Sequence, residues 1–338
     1  MKILITGGGT GGHLAIARSL RDAAMKEGHV CSFVGSTAGQ DRAWFENDQS
    51  FESVQFLKTS GVVNKRGFHK LFSLWLTFKA MLKAFTLVRK ADCVISVGGF
   101  SAAPASFAAV LLHCPYFIHE QNAAIGRLNR LLRPFSRAFF SSYEESSLVK
   151  DYPVRESFFK QARIRSNIKT VIFLGGSQGA RFINELAIKI APILREKGIH
   201  IIHQAGKSEL DKVKDIYETL SIEAEVFDFR DDVDLLMQKS DLAVSRSGAS
   251  TLWELCASAL PALYIPYPYA AGDHQFYNAS YLLEKDASWL ARQEDDPYAL
   301  LLQLLDKDLT KESKTLQTLI NADGAEAIIT KVQECLQN

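Results

Sequence analysis

Residues 3–6 form a short apolar run that breaks directly into Gly7-Gly8-Gly9-Thr10-Gly11-Gly12-His13 before a helical pattern begins. A strand that ends in a glycine turn and reopens as a helix is the start of a βαβ unit. Such units close onto a parallel sheet whose two faces are covered by helices. The rest of the chain keeps that rhythm. Apolar or β-branched runs at Ile3–Thr6, Val30–Gly35, Val94–Val97 and Tyr116–His119 predict one series of strands. Thr170–Leu174, His200–Gln204, Glu225–Phe227, Leu242–Ser245 and Ala262–Ile265 predict a second. Longer amphipathic segments separate most of them, as a doubly wound fold requires.

The chain also echoes itself. Ala91-Asp92-Cys93-Val94-Ile95-Ser96-Val97-Gly98-Gly99-Phe100-Ser101 is similar to Ser240-Asp241-Leu242-Ala243-Val244-Ser245-Arg246-Ser247-Gly248-Ala249-Ser250, with Asp, Gly and Ser at one offset. Each copy runs on into a helix, a proline (Pro115, Pro261) and another strand. The glycine turn after Thr6 returns as Gly175-Gly176-Ser177-Gln178-Gly179-Ala180-Arg181. Two similar α/β halves fit a chain of this length at about 150 residues per domain. The division falls near Pro153, which gives one Rossmann-like half at 1–150, a second at 151–320 and a terminal helix at 321–338.

Composition excludes several alternatives. A net charge of +1 supplies no global field for nucleic acid as a partner. Five cysteines, none in a C-x-x-C pair, predict free thiols in a reducing compartment rather than disulfides or zinc. Only four strand residues separate Met1-Lys2 from the glycine run, too few for an export signal. Residues 93–118 carry no Asp, Glu, Lys or Arg and are long enough to span a bilayer. Gly98-Gly99, Pro104 and Pro115 instead divide them into strand, turn, short helix and strand.

The glycine turns are suited to an anion, because small residues let backbone N–H groups approach it and a helix N-terminus favours negative charge. Gly7, Gly9 and Gly12 also satisfy G-x-G-x-x-G, so a dinucleotide cofactor is a rival. That cofactor needs an acid at the end of the second strand to hold its ribose. The strand ends Val34-Gly35-Ser36, with no acid before Asp41, which disfavours a dehydrogenase. Neither turn ends in Gly-Lys-Ser/Thr, which disfavours a P-loop ATPase. A third helix start, Arg246-Ser247-Gly248-Ala249-Ser250-Thr251, is again small, and Glu254 follows one turn in. A carboxylate there can accept both ribose hydroxyls or serve as a solvated helix acid.

Together these motifs resemble one family. Gly7–His13, His119-Glu120-Gln121-Asn122, Gly175–Arg181, Arg246–Glu254 and His274-Gln275…Asn278-Ala279 are similar, in the same order, to the bacterial peptidoglycan GlcNAc transferases. The resemblance implies a GT-B fold, two Rossmann-like domains with parallel sheets facing a central cleft. It implies an inverting transfer of GlcNAc from UDP-GlcNAc to the C4 hydroxyl of the muramyl sugar of an undecaprenyl-diphosphate-linked acceptor, Lipid I, by a peripheral enzyme on the cytoplasmic face of the cell membrane. By motif, Ser177 and Arg155 would contact the donor phosphates beside Ala249, Ser250 and Thr251. Glu254 would hold the ribose, Phe229 and Arg230 would lie by the uracil, and Gln275 and Asn278 would read sugar hydroxyls. Thr10, Gly11, Gly12 and Asn122 would complete the site from the first half. The chain departs from the family at Leu14-Ala15-Ile16, where an aromatic-proline pair is usual, and at Arg230, a position more often apolar.

Inverting transfer needs a base for the attacking hydroxyl and stabilisation of the departing diphosphate. His13, at a helix start beside the glycine turn, is the expected base; His119 and Glu120 are the alternatives, and a capping or packing role for His13 stays open. A helix start and Arg155 would stabilise UDP in place of a metal, so no cofactor and no protein-bound metal are expected. One further segment stands out. Residues 53–91 contain no acid but hold Lys58, Lys65, Arg66, Lys70, Lys79, Lys83, Arg89 and Lys90 among many apolar and aromatic residues. That suits an anionic membrane surface, at about 1 kcal/mol per nearby basic residue; a buried crossover helix with solvated lysines is the other reading. A UDP-sugar epimerase or hydrolase, or a non-catalytic nucleotide-sugar binding subunit, would share the fold.

Overall fold

The computed structural model describes residues 1–59, 61, 67–176 and 180–337, and the chain divides into two compact units, Met1–Val154 with Asp323–Asn338, and Arg155–Ala322. In the first unit, strands β1 (Lys2–Gly7), β2 (Val30–Ser36), β3 (Ser53–Leu57), β4 (Cys93–Gly98), β5 (Tyr116–Glu120) and β6 (Ala138–Ser141) form one parallel sheet in the order β3-β2-β1-β4-β5-β6. Its helices are α1 (Gly11–Lys26), α2 (Asp41–Phe45), α3 (Gly67–Val88), α4 (Ala103–Leu111) and α5 (Arg127–Leu132). Every residue of β4 and β5 is buried, because parallel strands carry helices on both faces and therefore read as unbroken apolar runs.

The second unit repeats the plan. Strands β7 (Thr170–Leu174), β8 (His200–Gln204), β9 (Ala224–Phe227), β10 (Leu242–Ser245), β11 (Ala262–Tyr264) and β12 (Trp289–Leu290) lie in the order β12-β11-β10-β7-β8-β9. Helices α6 (Glu156–Lys160), α7 (Arg181–Glu196), α8 (Leu210–Thr219), α9 (Val233–Lys239), α10 (Ala249–Ala257), α11 (His274–Leu283), α12 (Pro297–Leu304) and α13 (Thr310–Thr318) connect and cover them. Read from its opposite edge, this sheet has the order of the first, so β7 stands where β1 stands and β10 where β4 stands. The sequence echo is this correspondence, since its two copies run along β4 and β10. The glycine turns leave β1 and β7, next to the point where strand order reverses, which is where ligands bind in open α/β sheets.

Three strands go unpredicted from sequence: β3, β6 and β12. β3 and β12 are sheet edges and β6 is the opposite edge of the first sheet. An edge strand pairs on one side only, so it can be short and mixed in polarity, and the pattern that marks a buried strand is lost. The charge-free stretch 93–118 forms β4, a 3₁₀ turn, α4 and β5 of the first core. The last helix, α14 (Gly324–Gln337), returns to the first unit and packs on α1, where Lys26 pairs with Glu326 at 2.8 Å. A side chain at Gly324 would meet the Asp151 carbonyl oxygen at 2.7 Å, so the close approach that seats this helix requires glycine.

Candidate functional site

In the first unit the glycine turn is tied down from beneath. Asp41, with no exposed surface, starts α2, and its carboxylate accepts the backbone N–H of Gly9 at 2.5 Å and of Ser36 at 2.7 Å. Burial raises its pKa, and those N–H donors oppose the rise. A side chain at Gly8 would meet this carboxylate at 2.6 Å, and one at Gly9 would meet the Phe100 ring at 2.6 Å. The turn is therefore glycine-rich for packing, and the Gly9 N–H serves the protein's own anion. That corrects the sequence argument, which gave the whole run to an external one. Asp41 lies only five residues beyond the end of β2, but a backbone-directed carboxylate leaves no pattern in the sequence.

His13 lies half-buried at the third residue of α1. Its Nδ1 is 2.8 Å from Thr10 Oγ1, and its Nε2 is 2.8 Å from Gln121 Nε2. The two alternative bases stand differently. His119 is 1% exposed and packs edge-on against Tyr152, and burial, with a smaller contribution from His13, pushes its pKa down to about 3. Glu120, 3% exposed, is committed to the turn that follows β5. One oxygen accepts the Asn122 N–H at 3.0 Å, and the other accepts Gly126 N–H and Asn129 Nδ2, both at 2.9 Å. Glu120 thus fixes Asn122 and the 121–126 turn, and of the three His13 is the half-buried one.

In the second unit three elements bring the other candidates together. Gly248 caps α10, so Ala249, Ser250 and Thr251 are its first three residues, whose N–H groups have no partner within the helix. Ser247, fully buried below that start, has an Oγ with no hydrogen-bond partner. Glu254 follows Thr251 on the same face, half-buried rather than solvated. Burial pushes its pKa up to about 7, while Arg155, exposed at the start of α6, pulls the other way. The helix start, Glu254 and Arg155 therefore share one locality.

Around them the loop 266–270 is pinned twice. Arg246 donates to the carbonyls of Ile265 and Pro266, each at 2.9 Å, and Gln275 Oε1 accepts the Tyr267 N–H at 2.9 Å. Asn278 is fully buried and donates to the Ser247 carbonyl at 3.1 Å, which ties α11 to the turn before α10. Phe229 is 56% exposed. The Arg230 guanidinium is engaged by Asp232 and Glu225, and the Phe229 N–H donates to Asp228 Oδ1 at 2.6 Å. On the second glycine turn, Gly176 N–H donates to Gln204 Oε1 at 3.1 Å, and Ser177 lies outside the described residues.

Two Asp-x-Asp triplets occur, Asp232-Val233-Asp234 and Asp306-Lys307-Asp308. Asp232 pairs with Arg230, Asp306 with Lys197, and Asp308 accepts from Thr310. Among the described residues no group of three or more His, Cys, Asp or Glu side chains could hold a metal ion. Asp41, Gln121, Gln204, Arg246 and Ser247 line or brace these turns and were not singled out from sequence. Gln121, Arg246 and Ser247 lie inside recognised motifs but carry no mark of a role.

Residues 3–141 match the glycosyltransferase family 28 N-terminal domain and residues 170–333 the glycosyltransferase family 28 C-terminal domain. The chain is 53% identical over 330 residues, 97% of each chain, to the UDP-N-acetylglucosamine–N-acetylmuramyl-(pentapeptide) pyrophosphoryl-undecaprenol N-acetylglucosamine transferase of Sulfurovum sp. (strain NBC37-1). It is 51% identical to the same-named enzyme of Wolinella succinogenes, over 96% of this chain and 98% of that one. Among solved structures, MurG of Acinetobacter baumannii superposes with a TM-score of 0.77 at 25% identity, over 98% of this chain and 99% of that one. A UDP-GlcNAc 2-epimerase of Neisseria meningitidis, bound to UDP-GlcNAc, superposes with a TM-score of 0.66 at 14% identity over the whole of both chains, a likeness of fold alone.

Proposed function

The chain belongs to glycosyltransferase family 28, and from that premise we propose how it works. It is a two-domain GT-B hexosyltransferase that carries N-acetylglucosamine from UDP-GlcNAc to undecaprenyl-diphosphate-linked N-acetylmuramyl-pentapeptide, converting Lipid I to Lipid II in peptidoglycan synthesis. The observation that carries this reading is likeness at about half identity along nearly the whole of relatives with that activity. Our assignment of roles to residues rests on the geometry of each unit.

The second unit holds the donor. The start of α10, from Ala249 to Thr251, faces the diphosphate with oriented N–H groups, and Arg155 adds a cation. Together they stabilise the charge that grows on UDP as the sugar leaves. Glu254 accepts the ribose hydroxyls, the 229–230 backbone meets the uracil, and Gln275 lies toward the sugar. The first unit supplies the base. His13 takes the proton of the muramyl C4 hydroxyl as that oxygen attacks the anomeric carbon with inversion. The Gly11-Gly12 start of α1, with Thr10 and Asn122, orders that end.

Helix α3 places the enzyme on the membrane. Leu71, Phe72, Leu74, Trp75, Phe78 and Leu82 are 47–66% exposed, while Ala80, Ala84 and Val88 face the core. Lys79 Nζ lies 3.8 Å from the Trp75 ring centre, and Lys83, Arg89 and Lys90 are exposed. By length and composition α3 could cross a bilayer, yet its inner face packs on α4 and the first core, so it lies along the surface with an apolar outer stripe among basic residues. Its first-turn side chains and Lys65 and Arg66 lie outside the described residues.

Incubation with labelled UDP-GlcNAc, with and without a lipid-diphosphate muramyl-pentapeptide acceptor, tests the reading. Label is expected in the lipid, and only when acceptor is present. Conversion of UDP-GlcNAc without acceptor would mark an epimerase or hydrolase, and binding without turnover a non-catalytic subunit.

A further inference from the structure

The imidazole of His13 is held from both sides, and the chemistry of its two partners differs. The group 2.8 Å from Nε2 is the amide nitrogen of Gln121, which can only donate. Ring Nε2 is therefore the acceptor. A neutral imidazole has one N–H, so the proton is on Nδ1 and is donated to Thr10 Oγ1, 2.8 Å away. The basic lone pair of His13 thus sits on Nε2 and points at Gln121.

Gln121 is built for more than this single bond. It is 7% exposed, directly after β5, and its Oε1 has no hydrogen-bond partner. The Oδ1 of Asn129, a residue 3% exposed, has none either. Buried carbonyl oxygens are rarely left so, and two of them beside one histidine mark a place where donors belong. Asn129 and His13 both lie close to Gly98, where a side chain would come within 3.3 Å of Asn129 Nδ2 and 3.4 Å of His13 Nε2, so glycine keeps a Cβ out of close contact with them.

We propose that Gln121 is a positioning residue for the transfer, fixing His13 as the Nδ1–H tautomer and yielding its bond at Nε2 to the attacking hydroxyl, while its Oε1 accepts a second hydrogen from the acceptor sugar. The proposal rests on His13 being the base. In the step itself the hydroxyl proton passes to Nε2 and the oxygen's electron pair forms the bond to the anomeric carbon. The bond to UDP breaks with its electrons going to the diphosphate, and the imidazolium later releases its proton to solvent. Thr10 Oγ1 keeps its bond to Nδ1–H throughout. On β5, His119 is neutral and Glu120 is committed to its turn. Asp41 is tied to Gly9 and Ser36, and Arg18 on α1 lies over the Trp44 ring.

The test uses the full chain with ¹⁵N-labelled histidine, UDP-GlcNAc and the lipid-diphosphate acceptor, in wild type, Gln121→Glu and Gln121→Met. The wild-type His13 ring is expected to carry its proton on Nδ1 at neutral pH. Gln121→Glu places an acceptor at Nε2 and favours the charged ring, so the acidic limb of kcat against pH should move up by about one to three pH units. Gln121→Met removes the donor without changing size, and kcat should fall about tenfold or more with UDP affinity and melting temperature unchanged. A wild-type ring protonated on Nε2 overturns the proposal, as do variants that keep both the wild-type kcat and its pH profile. His13→Ala separates the two ideas: retained kcat there sinks the base assignment, whereas the tautomer spectrum judges the Gln121 contact by itself.

Discussion

At the residue scale, the three side chains that could have served as base differ in environment rather than in type. His119 and Glu120 adjoin in sequence, but one is neutral in the core and the other is spent on a turn. His13→Ala should therefore lower kcat by about 10²–10⁴ and abolish the acidic limb of its pH profile, with UDP affinity unchanged. A fall below about tenfold at saturating acceptor returns His13 to a packing role. Glu254 makes a second test. Its folded pKa of about 7 stands above the value of about 4.3 for an unfolded glutamate. As pH rises from about 4 to about 7 the native carboxyl keeps a proton that the unfolded chain has lost, so folding stability falls across that window. Glu254→Gln should raise the melting temperature at pH 8, by an amount worth up to about 3 kcal/mol, and leave it unchanged at pH 4. The same change should weaken UDP-GlcNAc by about 1.5–3 kcal/mol, because ribose hydroxyls lose a charged acceptor. Unchanged melting at pH 8 together with an unchanged donor KM would make Glu254 a bystander. A residue that costs the empty protein stability and repays it on binding is the pattern of a functional site.

At the element scale, α3 answers the choice between a buried crossover and a surface helix by being both. Its Ala80, Ala84 and Val88 stripe covers the first sheet, and its aromatic and leucine stripe faces outward. Composition could not separate these, because a helix apolar on every side reads the same whether its outer half meets protein, lipid or water. Replacing Lys79, Lys83, Arg89 and Lys90 with Gln should weaken binding to anionic vesicles by about 1 kcal/mol per residue in contact, with UDP affinity unaltered. Equal vesicle binding by wild type and variant would remove the membrane role. The glycine turn is the other element where sequence and structure part. Five glycines in seven residues read as a cradle for an anion. Part of that cradle is filled from within by Asp41, whose position depends on how α2 packs.

At the scale of the whole molecule, the proposed donor-binding residues from Arg155 to Gln275 belong to one compact unit, while α14 belongs to the other. A fragment spanning residues 155–322 should accordingly fold and bind UDP, measured by calorimetry. A folded fragment without UDP affinity would refute the donor assignment. The two-fold repetition of the plan was legible in the chain, since the Asp92–Ser101 and Asp241–Ser250 segments run along corresponding strands, and the buried strands were found because burial on both faces demands continuous apolar runs. So were the helix starts, because backbone that must approach a ligand or another chain segment tolerates only small residues. Edge strands such as β3 and β12 were not, for want of a second neighbour to demand a pattern. Nor could the sequence decide the protonation of His13, the commitment of Glu120, the burial of Asn278 or the carboxylate beneath Gly9. The contacts of His13 with Gln121, of Asn278 with Ser247 and of Asp41 with Gly9 join groups far apart in the chain, and those of Glu120 depend on the conformation of its own turn. Hydrogen bonding and desolvation act between neighbours in space, which only the folded backbone defines.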